Sequence, residues 1–179
     1  MKYLKQNKDL LLFLVKLGAL CAFYFLWFSP NVWTLPIIST LWGHFIHYTL
    51  LFLIEPAIWI LNSIGYGAQV VNERNIDMFD LEFNVHIKNF CLGVDMMFTL
   101  TALIIAFPGK WTDRLWFIPV GLIGIHFINI ARVVALCIAW VKYGNTGPID
   151  HHDWFNVIAV IFIFLLFVVW VNRYERKPA

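Results

Sequence analysis

The stretch Asn89-Phe90-Cys91-Leu92-Gly93-Val94-Asp95 decides how the rest of the chain is organised. Here a polar segment passes into an apolar helix, and one cysteine stands at the boundary. The first turn of a helix carries unpaired N–H groups and the positive end of the helix dipole, which favour a thiolate. Gly93 lets another backbone or a substrate approach closely. The stretch therefore predicts a reactive thiol, Cys91, at one end of an apolar helix.

The composition is that of an integral membrane protein. Of the 179 residues, 61% are hydrophobic and only 13% are charged, whereas soluble domains are roughly half apolar and about a quarter charged. No basic stripe is interleaved with aromatic residues, which argues against nucleic acid as a partner. The three cysteines have no metal-ligand spacing, and we expect no cofactor. The predicted fold is an all-α, multi-span helical bundle that forms a single membrane domain over residues 1–179.

Short basic segments predict the orientation of this bundle, because Lys and Arg are retained on the cytoplasmic side. The N-terminus, the Lys110–Arg114 loop and the C-terminus are basic and are expected inside. Cys91 and the His151-His152 pair then lie outside, in or near the membrane surface. The apolar segments 10–28, 91–107, 115–141 and 154–171 are predicted to be full spans.

The segment from Leu35 to Ile64 does not fit a simple span in this scheme. An inside N-terminus and an outside Cys91 require an odd number of crossings before residue 91. We therefore expect an interfacial or re-entrant helix here, with a cramped hairpin that crosses twice as the alternative. Glu55-Pro56 within the segment agrees with an irregular helix.

The polar segment 65–90 is predicted to lie outside the membrane and to be β-like. From Asp80 to Lys88 polar and apolar side chains alternate. This period of two is typical of a half-exposed strand or hairpin on the membrane-proximal surface. The apolar face of this strand is formed by Leu81, Phe83, Val85 and Ile87.

Arg132 is a candidate functional residue because it lies inside an apolar helix. A charge at the membrane centre costs at least about 2.5 to 3.5 kcal/mol on insertion scales. Asn129 stands three residues earlier, on the same helical face. At ~1.5 Å per residue, Arg132 is about 26 Å from the inner start of its helix, level with Cys91. The alternative is an arginine that snorkels to the interface.

The pair His151-His152, followed by Asp153, offers a general base. Histidine titrates near neutral pH, and Asp150 or Asp153 can orient the ring. Asp153 can instead cap the last helix, and the pair can be an ordinary loop pair or part of a metal site. The residues alone do not choose between the two histidines.

A thiol, an imidazole and a guanidinium together are the parts of an acyl-transfer site. The histidine takes the thiol proton, Cys91 attacks a carbonyl, and a thioester forms. Arg132 and nearby N–H groups stabilise the oxyanion or hold the substrate. Water would then complete a protease reaction, whereas another nucleophile would complete a transpeptidase reaction.

This ordered set of motifs resembles the exosortase/archaeosortase family of membrane-embedded cysteine transpeptidases, and most of all its short exosortase-F type from Bacteroidetes-like bacteria. The resemblance covers roughly residues 61–171, and the chain is shorter than many relatives. The matching motifs are Cys91-Leu92-Gly93, like the family's Cys-x-Gly; Asn129-Ile130-Ala131-Arg132, like its Asn-x-x-Arg; and His152-Asp153, like its histidine at the start of a following helix.

The resemblance implies that Cys91 is the nucleophile and that Arg132 and His152 complete the site. Gly93, Asn129, His151 and Asp153 are then supporting or alternative residues. It also implies a multi-pass protein of the bacterial inner membrane whose active site faces the periplasm. The implied partners are exported proteins with a C-terminal sorting signal, made of a short motif, a transmembrane helix and a basic end, and an unknown surface acceptor.

Two other functions compete with this one. The first is a non-catalytic membrane scaffold or assembly factor, for which Cys91→Ala would be silent. The second is a haem- or metal-binding membrane protein with His44, His47 and His126 as ligands, together with His151 and His152. For the enzyme, we expect a substrate helix to enter through the groove between the Cys91 helix and the 115–141 helix, where Gly121 and Gly124 allow close packing.

Overall fold

The computed structural model of the chain describes residues 2–27, 36–78, 84–87, 89–143 and 151–175. Side chains are described for residues 8–27, 39–78, 85–87, 91–143 and 157–173. The helices are α1 (Lys2–Trp27), α2 (Pro36–Ser63), α3 (Val94–Ala106), α4 (Trp111–Tyr143) and α5 (His151–Glu175). The strands are β1 (Ala68–Val71), β2 (Asn75–Met78) and β3 (Asn84–His86), and a 3₁₀ turn covers Asn89–Leu92.

The described helices include three that are long and apolar enough to cross a membrane. They are Lys8–Trp27 of α1, Ser39–Ser63 of α2 and all of α4. Two shorter apolar helical segments are α3 and Val157–Arg173 of α5. With 13 residues, α3 is about 20 Å long, less than the ~30 Å of a hydrocarbon core. The helical membrane character predicted from composition agrees with these helices, but the predicted number of four full spans is not confirmed.

The segment predicted to be an interfacial or re-entrant helix forms a single helix, α2. It continues from Pro36 through Pro56 to Ser63, so the alternative of a hairpin that crosses twice is wrong. Proline has no N–H, and the carbonyl four residues earlier loses its helical partner. That carbonyl belongs to Phe52, and it lies 3.1 Å from Nε2 of His126 on α4. Because a carbonyl oxygen only accepts, Nε2 carries the proton, and α4 supplies the bond that α2 lacks.

We expect His126→Phe to destabilise the protein by about 1 kcal/mol, the usual size of an interhelical hydrogen bond in a membrane protein. Unfolding titrations with sodium dodecyl sulfate in mixed micelles would measure this loss. The matched background is Pro56→Ala, in which an N–H returns to α2 and competes for the Phe52 carbonyl. His126→Phe should cost less there. An equal cost in both backgrounds would show that the histidine does not compensate for the proline.

The first helix runs antiparallel to α3. The Phe13 ring contacts Phe107 beyond the C-terminal end of α3, at 5.9 Å between centroids. Near the other end, Tyr24 stacks on Phe98 at 4.6 Å, and its hydroxyl donates a hydrogen bond to Asp95. The C-terminal end of α1 therefore lies beside the start of α3.

Two glycines let α4 pack closely against its neighbours, as small residues do in membrane bundles. A Cβ on Gly121 would lie 2.5 Å from a methyl group of Leu100 on α3. A Cβ on Gly124 would lie 3.0 Å from the Phe162 ring on α5. The close packing predicted between α3 and α4 is found at Gly121, whereas Gly124 packs against α5. At Gly121 the groove expected between α3 and α4 is occupied by the fully buried Leu100 side chain.

A three-stranded antiparallel sheet in the order β1-β2-β3 follows α2. The Asn62 side chain holds its start, because Nδ2 donates to the Ala68 carbonyl and Oδ1 accepts from the Ala68 N–H. Ile76 of β2 is fully buried against the core of α2 and α4. The β-like character predicted for 65–90 agrees with this sheet, and Val85 and Ile87 pack inwards as expected. The predicted partners Leu81 and Phe83 lie outside the described residues.

Candidate functional site

Cys91 lies in the 3₁₀ turn and not in the first turn of α3. The helix begins at Val94, after Gly93, whose φ of 72° is in the left-handed region. The prediction that α3 begins at Cys91 is therefore wrong by three residues, because Gly93 ends one helical segment and caps the next. The Cys91 side chain is 2% exposed. We refer to Asn89–Leu92 together with Gly93 as the Cys91 turn.

Asn129 joins α4 to the Cys91 turn. Its Nδ2 donates a hydrogen bond to the Leu92 carbonyl at 3.3 Å. A Cβ on Gly93 would lie only 1.7 Å from the same Nδ2. Only a glycine leaves room for this contact and also adopts the left-handed conformation without strain. The Asn-x-x-Arg motif and the Cys-x-Gly motif thus meet directly.

Arg132 lies one turn beyond Asn129 on the same face of α4 and is 2% exposed. A snorkelling arginine would keep its guanidinium at the surface, so that alternative does not hold. The neighbouring α4 residues Ile130 and Val133 belong to the same buried cluster as Cys91. The predicted polar face of α4 is thus buried at the level of the Cys91 turn.

The Oδ1 atom of Asn129 is buried and has no hydrogen-bond partner among the described residues. A buried acceptor without a partner costs about 1 to 3 kcal/mol. Such atoms are uncommon in folded proteins and often mark a functional position. Here the atom belongs to a side chain that touches the Cys91 turn.

The histidine pair and Asp153 lie in the first turn of α5, which begins at His151. Their side chains lie outside the described residues, so the choice between His151 and His152 stays open. The backbone of α5 still shows how far along the axis of the helical bundle the histidine pair lies. Gly124 of α4 lies against Phe162, and Phe117 lies 5.2 Å from Trp170.

These two contacts show that α5 runs antiparallel to α4. The residue-to-residue pairing that they define can be extended along both helices. Position 132 of α4 then lies level with positions 154 and 155 of α5. The histidine pair comes two to four residues earlier in the chain, which is about 3 to 6 Å further along the axis. The start of α5 is therefore within about one turn of the level of Arg132, as the acyl-transfer hypothesis requires.

The other histidines named in the haem or metal hypothesis lie on α2 and α4. His126 holds the backbone of α2. Among the described residues, no group of three or more His, Cys, Asp and Glu side chains is placed to hold a metal ion. His44 and His47 lie on α2, outside any such group.

A polar pair beside the Cys91 turn was not predicted from the sequence. Asp95 follows Gly93 by two residues and accepts a hydrogen bond from Tyr24 of α1. An ionisable residue in an apolar helix often indicates a functional site, and the sequence contains such a residue at Asp95. Its partner could not be predicted, because Tyr24 is 71 residues away in the chain.

Comparison of the chain with protein-family models, with curated proteins and with solved structures gave no match. The resemblance to the exosortase family therefore rests on the sequence motifs alone.

Proposed function

We propose that the protein is a membrane-embedded cysteine transpeptidase or protease. It cleaves the C-terminal sorting signals of exported proteins at the outer face of the bacterial inner membrane and transfers the proteins through a thioester to a surface acceptor. One observation carries this proposal: the buried Asn129–Arg132 face of α4 packs against the turn that bears Cys91. A buried amide oxygen without a partner, on a side chain that touches the turn bearing a thiol, fits an active site better than a scaffold.

In the proposed reaction, His152 or His151 takes the proton of the Cys91 thiol. The sulfur attacks the scissile carbonyl, and the oxyanion is stabilised by Arg132. The C–N bond breaks, the amine leaves with the proton from the histidine, and a thioester remains on Cys91. An acceptor nucleophile then attacks the thioester, gives its proton to the histidine and restores the thiol.

Burial of the nucleophile favours transfer over hydrolysis. Cys91 is 2% exposed, so the thioester would form in a place that water reaches poorly. Exclusion of water is the physical condition that separates a transpeptidase from a protease. Asn129 Oδ1 supplies an acceptor that can hold the substrate backbone while the acceptor nucleophile arrives.

We expect Arg132→Lys to slow processing about 100-fold or more, the size of a lost oxyanion donor. Lysine keeps the charge but loses the planar set of donors. The measurement is a pulse-chase of exported, C-terminally anchored proteins in the native host, with the membrane abundance of each variant determined in parallel.

The matched control is Arg114→Lys. Arg114 is also a buried arginine of α4, but it lies at the other end, where it donates to the Phe107 carbonyl at 2.8 Å and stacks on Trp111. At equal abundance the control should process at nearly the normal rate. Equal losses in the two variants would mean that Arg132 only supports the fold.

A further inference from the structure

A trough lined by aromatic side chains lies between α1 and α2. Its first chamber has a volume of about 210 Å³, and an adjoining chamber of about 290 Å³ shares Trp27 and Trp42 with it. We refer to both chambers as the α1–α2 trough. The first chamber is lined by Phe23, Tyr24, Trp27, Trp42, Val94 and Phe98, and the second adds Leu41 and Phe45.

The trough borders the Cys91 turn, because Val94 lines the trough and also packs against the buried cluster that contains Cys91. Val94, which lines it, directly follows Gly93 and comes three residues after Cys91. Its sides are formed by helices that pack on different partners, since α1 packs mainly on α3 whereas α2 packs on α4, the sheet and the Cys91 turn. The rings of Trp27 and Trp42, which line both chambers, contact each other edge to face at 6.5 Å between centroids. An occupant therefore lies along the trough and does not pass between α1 and α2 at that point, whereas Leu100 meets Gly121 in the groove between α3 and α4.

The lining restricts what can occupy the trough. It consists of aromatic and aliphatic groups, and its polar side-chain groups are the indole N–H groups of Trp27 and Trp42 and the hydroxyl of Tyr24, which is bonded to Asp95. A polypeptide in such surroundings must satisfy its own backbone hydrogen bonds, which a helix does and an extended strand does not. Two adjoining chambers also suit side chains that project from one face of a helix.

Asp95 adds a polar group at the Cys91 end of the trough. Its side chain is exposed, next to Val94 in the chain and bonded to Tyr24. The first turn of any helix has unpaired N–H groups and about half a positive charge, which a carboxylate stabilises. The carboxylate of Asp95 is thus complementary to the N-terminus of a helix that lies in the trough.

We propose that the α1–α2 trough binds the membrane helix of the polypeptide substrate, with the N-terminus of that helix at Asp95. The residues that precede the helix then lie at Cys91, so the chain is cut just before its membrane helix. That the bound helix belongs to a substrate rests on the proposed function. The binding of a helix in the trough can be tested without catalysis.

The experiment uses the full-length protein with Cys91→Ala, which removes the chemistry, in vesicles of phosphatidylethanolamine and phosphatidylglycerol. The photo-crosslinker p-benzoylphenylalanine replaces Trp42 in the trough. In the matched control it replaces Trp59, which is on the same helix and 72% exposed. The added peptide has a Gly-Ser leader and a membrane helix of about 20 leucine and alanine residues.

We expect about tenfold more peptide adduct from position 42 than from position 59, equivalent to about 1.4 kcal/mol of preference for the trough. Asp95→Asn should lower the position-42 adduct about threefold, whereas Glu55→Gln, at an exposed acid outside the trough, should leave it unchanged. Equal peptide adducts at the two positions, or lipid adducts alone at position 42, would overturn the proposal. If this pattern of adducts is found but cells that carry the Cys91→Ala variant still process substrates, the proposed function is wrong and the helix-binding site stands.

Discussion

Replacing Cys91 with alanine is expected to abolish the processing of exported, C-terminally anchored proteins and to leave the protein folded. The loss of a nucleophile typically costs about 10⁴-fold or more in rate, which in cells means that only uncut precursors are seen. The side chain is buried and small, so truncation costs on the order of 1 kcal/mol of stability. The measurement is the ratio of precursor to mature protein, with membrane abundance of the variant determined in the same cells.

A buried cysteine elsewhere in the same core provides the matched control. Cys137 of α4 is fully buried in the cluster that contains Cys91, but it has no part in the proposed reaction. Cys137→Ala should therefore cost a similar amount of stability and leave processing unchanged. Normal processing by the Cys91→Ala variant would favour the scaffold function.

The second large effect is expected from Gly93→Ala. The new methyl group would lie 1.7 Å from Asn129 Nδ2, and φ at this position is 72°. The clash and the left-handed conformation together should destabilise the protein by several kcal/mol. Displacement of the Cys91 turn should also stop processing. Detergent unfolding titrations and the precursor assay would measure the two effects.

A double variant separates the clash from the backbone strain. Asn129→Ala removes the atom that the new methyl group meets, so Gly93→Ala should cost less in that background, with a coupling of about 1 to 3 kcal/mol. The control is Gly43→Ala in α2, where a Cβ would meet nothing within 4 Å, and we expect no loss there. Additive effects of Gly93→Ala and Asn129→Ala would contradict the contact between the Cys91 turn and α4.

The sequence predicted those features that depend on local pattern. The apolar helices, the paired polar face of Asn129 and Arg132 and the burial of Ile87 all follow from periodicity, and the structure confirms them. The start of α3 was misplaced because the left-handed conformation of Gly93 is not evident from composition.

Features that depend on residues far apart in the chain could not be predicted from the sequence. An unbroken α2 needs His126 to replace the bond that Pro56 removes, and the two residues are 70 positions apart. The contact of Tyr24 with Asp95 depends in the same way on how α1 packs against α3. The α1–α2 trough is likewise a product of packing, since its lining comes from three helices.

The central claim is that Cys91 carries an exported polypeptide as a thioester. Hydroxylamine cleaves thioesters and leaves a hydroxamate on the released acyl group, so it tests this claim directly when added to cells of the native host. Mass spectrometry should find exported proteins with a new C-terminal hydroxamate, cut just before a membrane helix, in wild-type cells and none in Cys91→Ala cells at equal enzyme abundance. The same hydroxamates in Cys91→Ala cells would contradict the account.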